Sequence, residues 1–138
     1  MADRIHLQIV TAGGVVFDRM VHSVRLPLES GSIGVLANHA PLIGAVVDGV
    51  VTCASDAGEA VIAVGIGVVN IVNNSVTVLS RTAEEAESID LARAEAAEKR
   101  ARERLAQKSA DVDAARAEAA LHRAIARQKA AHMVKKHR

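Results

Sequence analysis

All nine glycines and both prolines of this 138-residue chain lie before residue 81. Beyond that point alanine becomes the commonest residue, and valine, which is frequent earlier, nearly disappears. Valine and other β-branched residues favour strands, whereas alanine, glutamate, arginine and lysine favour helices. The sequence therefore predicts a β domain over residues 1–84 and a helical unit over residues 85–138.

The β domain is predicted from short apolar runs separated by turn residues. Ile5, Leu7 and Ile9 alternate with polar neighbours, which is the pattern of a half-buried strand. Many short strands without helices between them predict a flattened antiparallel sandwich and exclude parallel βαβ units. The further runs lie at 15–17, 21–26, 33–36, 45–47, 50–54, 60–64, 66–72 and 76–79, and the turn signals include Gly13-Gly14, Asp18-Arg19 and Asn73-Asn74.

The second part is predicted to form an antiparallel hairpin of two helices, with Ser88 as the first cap and a break at residues 107–111. Ser109, Asp111 and Asp113 supply capping groups and charge for the second helix. An alanine side chain buries little apolar area, so we expect this hairpin to pack weakly on itself and on the sandwich and to be able to detach. The apolar stripes that predict the helices are Leu91, Ala94, Ala97, Ala101 and Leu105, then Ala114, Ala117, Leu121, Ala124 and Ile125.

Composition argues against several classes of function. Phe17 is the only aromatic residue, which disfavours binding of single-stranded nucleic acid through ring stacking. The net charge is +1, and Cys53 is a lone cysteine in an apolar run, so a buried structural thiol is expected. The N-terminus lacks the pattern of a signal peptide, and the most apolar segment, residues 60–72, is too short to span a membrane. We expect a soluble, intracellular protein.

No motif for stand-alone chemistry stands out. Gly65-Ile66-Gly67 begins a nucleotide-loop pattern, but the third glycine is missing and no helix follows, so a strand feature is predicted. His39 lies in a turn without a neighbouring nucleophile, and the six histidines show no metal-ligand spacing. The sequence predicts no catalytic residue and no metal site.

The charged faces of the two helices leave two interpretations open. Asp90 and Arg93 lie near the start of the first helix, and Arg116, Arg123 and Arg127 share a face of the second. They form either a solvated surface with ion pairs inside each helix or an anion pocket, because arginine forks bind phosphate oxygens well. In an antiparallel hairpin, Asp90 and Arg93 would lie near Arg123 and Arg127.

Several motifs in the same order resemble the epsilon subunit of bacterial F-type ATP synthases. Gly14–Asp18 resembles the opening hairpin of that family, and Gly34–Leu36 followed by Asn38–Leu42 resembles its most distinctive motif. Ile89–Ala94 resembles the start of its first helix, and Arg116–Leu121 resembles its second. The chain departs from the family at Ala37-Asn38, where Pro-Gly is usual, and at Ile33, where a bulky aromatic residue is usual.

The resemblance implies a non-catalytic rotor subunit of the central stalk, present as a monomer in a complex that couples ATP synthesis to ion transport. The sandwich would contact the gamma subunit and the c-ring, and the hairpin would switch to an extended state that reaches the alpha and beta subunits and inhibits ATP hydrolysis. The implied location is peripheral, on the cytoplasmic face of the bacterial plasma membrane. The implied interface residues are Glu29, Gly31, Ile33, Asn38, His39 and Pro41.

The resemblance also implies one cofactor, a regulatory ATP that is bound without being hydrolysed and without a required metal. The motif of the Ile-Asp-x-x-Arg-Ala type is complete from Ile89 to Ala94. The implied ATP contacts are Glu84, Ile89, Asp90, Arg93, Ala94, Arg100, Arg123 and Arg127. A salt bridge between Asp90 and Arg93 is the alternative role for those two residues.

Two other functions compete with this hypothesis. A chaperone or adaptor built from a β domain and a coiled coil would need sustained heptads, but the stripes last two to three heptads and are rich in alanine. A stand-alone enzyme using His39 would need a partner constellation that the sequence does not supply.

Overall fold

A computed structural model describes residues 4–106 and 114–137 of the chain. The predicted helix break, with Ser109, Asp111 and Asp113, lies outside the described residues. The strands are β1 (Ile5–Thr11), β2 (Gly14–Val21), β3 (Ser23–Leu28), β4 (Gly31–Leu36), β5 (Leu42–Val46), β6 (Gly49–Ser55), β7 (Gly58–Val64), β8 (Gly67–Val72), β9 (Ser75–Ser80) and β10 (Ala83–Glu85). A 3₁₀ turn (Ala86–Ser88) leads into the helices α1 (Leu91–Ala106) and α2 (Ala114–His137).

The strands form two halves of a sandwich. One half has the order β10-β7-β6-β3 with β4 on the free edge of β3, and the other has the order β5-β8-β9-β1-β2. The halves are hydrogen-bonded through a single register pair, Leu28 with Val46. The predicted sandwich with two C-terminal helices is confirmed, although one strand pair, β1 with β9, is parallel.

The core between the halves is aliphatic apart from Phe17, which is buried in it. Leu7, Leu26 and Ile62 are fully buried, and each such side chain contributes about 1.5–3 kcal/mol by leaving water. Cys53 is buried in the same core, and this burial raises the pKa of its thiol to about 11. The thiol is therefore neutral at physiological pH, as expected for a structural cysteine.

The turn predicted at Asp18-Arg19 is wrong, because β2 continues through both residues. Their side chains find partners along the sheet instead of inside a turn. The Asp18 carboxylate lies 2.6 Å from His6 Nε2, and the Arg19 guanidinium lies over the Phe17 ring, 4.9 Å from its centroid. The chain turns later, at His22, which divides the predicted run 21–26 between β2 and β3.

Asparagines form the tight turns beside β5 and between β8 and β9. Asn73 and Asn74 have φ values of 50° and 60°, which confirms the predicted hairpin turn. Asn38, with φ at 65°, adopts the left-handed conformation that glycine would adopt without strain. Its backbone N–H donates to Asn74 Oδ1 at 2.6 Å, so the β4–β5 loop is held against the β8–β9 hairpin.

Helix α1 begins two residues later than predicted. Asp90 Oδ1 accepts a hydrogen bond from the Arg93 N–H at 3.2 Å, so Asp90 is the cap. The predicted cap, Ser88, instead donates its hydroxyl hydrogen bond to the Glu85 carbonyl within the 3₁₀ turn.

Helix α2 packs on two sides, whereas the predicted apolar stripe covers only one of them. Ala117 and Ala124 are buried at a spacing of seven residues, as are Ala94 and Ala101 of α1, which is the spacing expected along the contact between two packed helices. Ala126 and Ala130 are also buried, and Ala130 packs on the sandwich. Ile125, a member of the predicted apolar stripe, is 40% exposed. Neither α1 nor the described part of α2 combines the length and apolarity that a bilayer crossing requires.

Candidate functional site

A cleft of about 290 Å³ lies where the helical hairpin meets the sandwich. Its volume is at the lower end of ligand-binding pockets, roughly 300–1,000 Å³. Small residues from β7, β10 and both helices form most of the wall, and three charged side chains complete it. The lining is Ala63, Val64, Thr82, Ala83, Glu84, Ala97, Ala120, Arg123, Ala124, Ala126 and Arg127.

The charged residues of the cleft differ in how they are paired. Arg127 Nε donates to Glu84 Oε2 at 3.0 Å, and its Nη2 donates to Glu84 Oε1 at 3.3 Å. Arg123, half-buried in the same wall, forms no ion pair with the described residues. The cleft therefore presents one neutralised guanidinium and one that is available to an anion.

The structure brings together three of the eight predicted ATP contacts, namely Glu84, Arg123 and Arg127. Asp90 and Arg93 lie outside the lining, and their side chains approach within 3.8 Å of each other at the start of α1. Arg93 is four residues before the lining residue Ala97, which is about 6 Å along the helix axis.

The other three predicted ATP contacts have separate surroundings. Ile89 packs against an apolar cluster that includes Val61 and Ala130. Ala94 is fully buried in α1, and Arg100 is exposed outside the lining of the cleft. Motif reasoning did not identify Thr82 or Ala120, which line the cleft and carry no charge that would mark them in the sequence.

A second candidate site is an apolar row on the outer face of the half formed by β5, β8, β9, β1 and β2. Register pairs join its members across five strands. Val68 is 47% exposed, Leu79 is 51% exposed and Val15 is 56% exposed. Contiguous apolar patches of this kind mark interaction surfaces. The apolar row consists of Ala45, Val68, Leu79, Val10 and Val15.

The six predicted interface residues fall into separate regions around β5. Glu29 and Gly31 lie at the β3–β4 turn, where the Glu29 N–H donates to the Ala45 carbonyl near the end of β5. Asn38, His39 and Pro41 precede the start of β5, so the five residues of that strand, about 16 Å, separate the two groups. Ile33 lies within β4 and packs partly against the core.

Within the described ranges there is no cluster of three or more histidine, cysteine or carboxylate side chains placed to hold a metal ion. His39 Nδ1 lies 2.7 Å from the Ala40 carbonyl oxygen, which is a local contact inside its own loop.

Comparison with known proteins covers both parts of the chain. The family model for the ATP synthase delta/epsilon chain beta-sandwich domain matches residues 4–86, and the model for its long alpha-helix domain matches residues 87–132. The ATP synthase epsilon chain of Bacillus subtilis is 41% identical over 101 residues, which cover 73% of this chain and 76% of the relative. That of Pelotomaculum thermopropionicum is 46% identical over 106 residues, which cover 76% and 79%.

Solved structures share the fold. A chain in the OSCP/F1/c-ring structure of Euglena gracilis mitochondrial ATP synthase superposes with a TM-score of 0.76. It is 19% identical in sequence, and the match covers 88% of this chain and 78% of that one.

Proposed function

The chain belongs to the ATP synthase delta/epsilon family, which makes it a non-catalytic subunit of that complex, and we propose that it is the rotor part that joins the gamma subunit to the c-ring. In this role it takes part in ATP synthesis and hydrogen ion transport through the complex. The subunit lies peripherally, at the cytoplasmic face of the bacterial plasma membrane, and one copy serves each complex.

The apolar row is the observation that carries this proposal. It lies on the half of the sandwich away from α2, which packs on β6 and β7. Three of its side chains are about half exposed, so burying them under the gamma subunit would remove substantial apolar area from water. The residues at the ends of β5 flank this surface and supply the contacts with gamma and the c-ring.

The proposal assigns the hairpin the role of an inhibitor that leaves the sandwich to reach the alpha and beta subunits. Support comes from the packing of α2, whose buried contacts are mainly alanines such as Ala117, Ala124 and Ala130. Alanine contacts bury little area, so detachment costs less than it would for a leucine-rich helix.

Removing the hairpin is expected to leave assembly intact and to raise ATP hydrolysis by the complex. The chain should end after Ser88, because β10 pairs with β7 through Glu85. The measurements are co-purification with gamma and the steady-state ATPase rate of the reconstituted complex. An unchanged rate in an assembled complex would contradict the inhibitory role, and loss of assembly would contradict the division between sandwich and hairpin at residues 84 and 85.

We further propose that the cleft and the start of α1 bind ATP as a regulatory ligand. Arg123 and Arg127 would hold phosphate oxygens, and Asp90 and Arg93 would contact the remainder of the nucleotide, with Glu84, Ile89, Ala94 and Arg100 around them. Arg123 supports this assignment, since it has no ion-pair partner in the part of the chain that the structure describes and an arginine fork suits phosphate.

Calorimetric titration of the full chain is expected to detect ATP binding at or below millimolar concentration. The double variant Arg123→Ala, Arg127→Ala should weaken binding at least tenfold, because each charge-assisted bond contributes about 1.5–3 kcal/mol. The matched control, Arg104→Ala with Lys129→Ala, removes two exposed cations outside the cleft and should bind like the wild type. An equal loss in both double variants would indicate a general charge effect instead of a site.

A further inference from the structure

The ion pair between Glu84 and Arg127 joins the sandwich to the helical hairpin, because Glu84 belongs to β10 and Arg127 to α2. We propose that this pair is the latch that holds the hairpin against the sandwich, so that breaking it releases α2. The regulatory meaning of the latch rests on the proposed function. The docking of α2 on the sandwich can itself be measured on the isolated chain.

The apolar contact beneath α2 is too thin to fix the helix firmly. Its buried members are Val61 and Ala63 of β7, Ala86 of the 3₁₀ turn and Ala130 of α2. The helix contributes only the methyl group of Ala130 to this cluster, with the buried Ala126 beside it and Met133 only partly buried at the margin. A directional contact in the same interface therefore accounts for a large share of the docking.

The geometry of Glu84 and Arg127 supplies that directional contact. Two hydrogen bonds, at 3.0 and 3.3 Å, join the carboxylate and the guanidinium in a bidentate arrangement. Both side chains are only about one-third exposed, at 33% and 31%, so water screens the pair less than it screens a surface pair. By contrast, the Arg102–Glu98 pair lies within α1 and cannot hold the hairpin to the sandwich.

The next residue along α2 extends the latch to the whole hairpin. The Gln128 amide donates to Glu98 Oε1 of α1 at 2.8 Å, and hydrogen bonds from Arg102 and Gln128 hold the pKa of Glu98 below its usual range. Arg127 and Gln128 therefore tie the same turn of α2 to the sandwich and to α1. Releasing Arg127 would free the two helices as a pair.

Amide hydrogen exchange on the full chain tests the latch. Glu84→Gln keeps the shape of the side chain and removes its charge, and it should speed exchange of the α2 amides about 5- to 30-fold. The amides of β8 and β9, remote from the pair, should be unaffected. The matched control is Glu85→Gln, which changes the adjacent residue of β10. The Glu85 carboxylate faces Arg19 of β2, with 3.9 Å between Arg19 Nη2 and Glu85 Oε1, and not α2. That control should leave α2 exchange unchanged.

A double-mutant cycle with Arg127→Gln completes the test. If the two residues act on each other, the second substitution should add little once the first is present. Additive effects, equal effects of Glu84→Gln and Glu85→Gln, or unchanged α2 exchange would each overturn the latch. If Glu84→Gln loosens α2 but truncation after Ser88 leaves ATP hydrolysis unchanged, the latch stands and the inhibitory function fails.

Discussion

The substitution Gly67→Ala is expected to destabilise the sandwich by about 3 kcal/mol or more. A Cβ atom at residue 67 would lie 1.9 Å from the Leu79 carbonyl oxygen and 2.8 Å from Ser80 Cα. Both are backbone atoms of β9, so the strand would have to move and its pairing with β8 would be strained. A loss of this size is a large fraction of a typical domain stability of about 5–15 kcal/mol.

Urea unfolding followed by circular dichroism measures this effect, with two glycines as controls. A Cβ at Gly65 would lie 2.6 Å from Thr82 Oγ1, a side-chain atom that can rotate away, so Gly65→Ala should cost less. A Cβ at Gly13 would meet only Thr11 Oγ1, at 3.6 Å, and Gly13→Ala should change stability by about 0.5 kcal/mol or less. If Gly67→Ala were as mild as Gly13→Ala, the close approach of β8 and β9 would be contradicted.

These glycines show where the sequence was informative about the fold and where it was not. The incomplete Gly65-Ile66-Gly67 pattern predicts a strand feature, and the structure places it at the start of β8 against the end of β9. Which backbone atoms crowd Gly67 depends on the pairing of β8 with β9, and the sequence does not give that register. The parallel pairing of β1 with β9 could not be predicted from patterns within single strands for the same reason.

The sequence predicts the two helices, but it does not predict all of their packing contacts. Alternation and stripes detect one apolar face well, and Ala94, Ala101, Ala117 and Ala124 are buried as predicted. The second buried face of α2, at Ala126 and Ala130, is hard to see because almost every position of that helix carries a small side chain. Its partners on β7 are also distant in the sequence.

The candidate cleft was predictable only in part. The resemblance supplies Glu84, Arg123 and Arg127, and tertiary packing brings β10 and α2 together so that these three residues share one cleft. The direct bond between Glu84 and Arg127 spans 43 positions, a separation at which no local rule applies. Asp90 does not line the cleft, because its carboxylate caps the N-terminus of α1.

The substitution Leu79→Asp is expected to weaken binding of the gamma subunit about 100-fold or more while leaving the chain folded. Leu79 occupies the middle of the apolar row, between Val68 of β8 and Val10 of β1. A carboxylate buried there under a partner surface would lose its water without gaining a cation. Truncations at the centre of an interface cost about 2–4 kcal/mol, and each 1.4 kcal/mol is a tenfold change in affinity. Because Leu79 is 51% exposed in the free chain, its effect on unfolding should be small.

Titration calorimetry with purified gamma measures the change in affinity, and urea unfolding checks the fold. Ile125→Asp is the matched control, because Ile125 is an aliphatic residue that is 40% exposed and lies on α2, away from the apolar row and from the six predicted interface residues. It undergoes the same chemical change outside the apolar row and should retain most of the affinity. Wild-type affinity in Leu79→Asp would exclude the row as the docking surface. An equal loss in both variants would indicate a general effect of an added carboxylate instead of a docking surface at the apolar row.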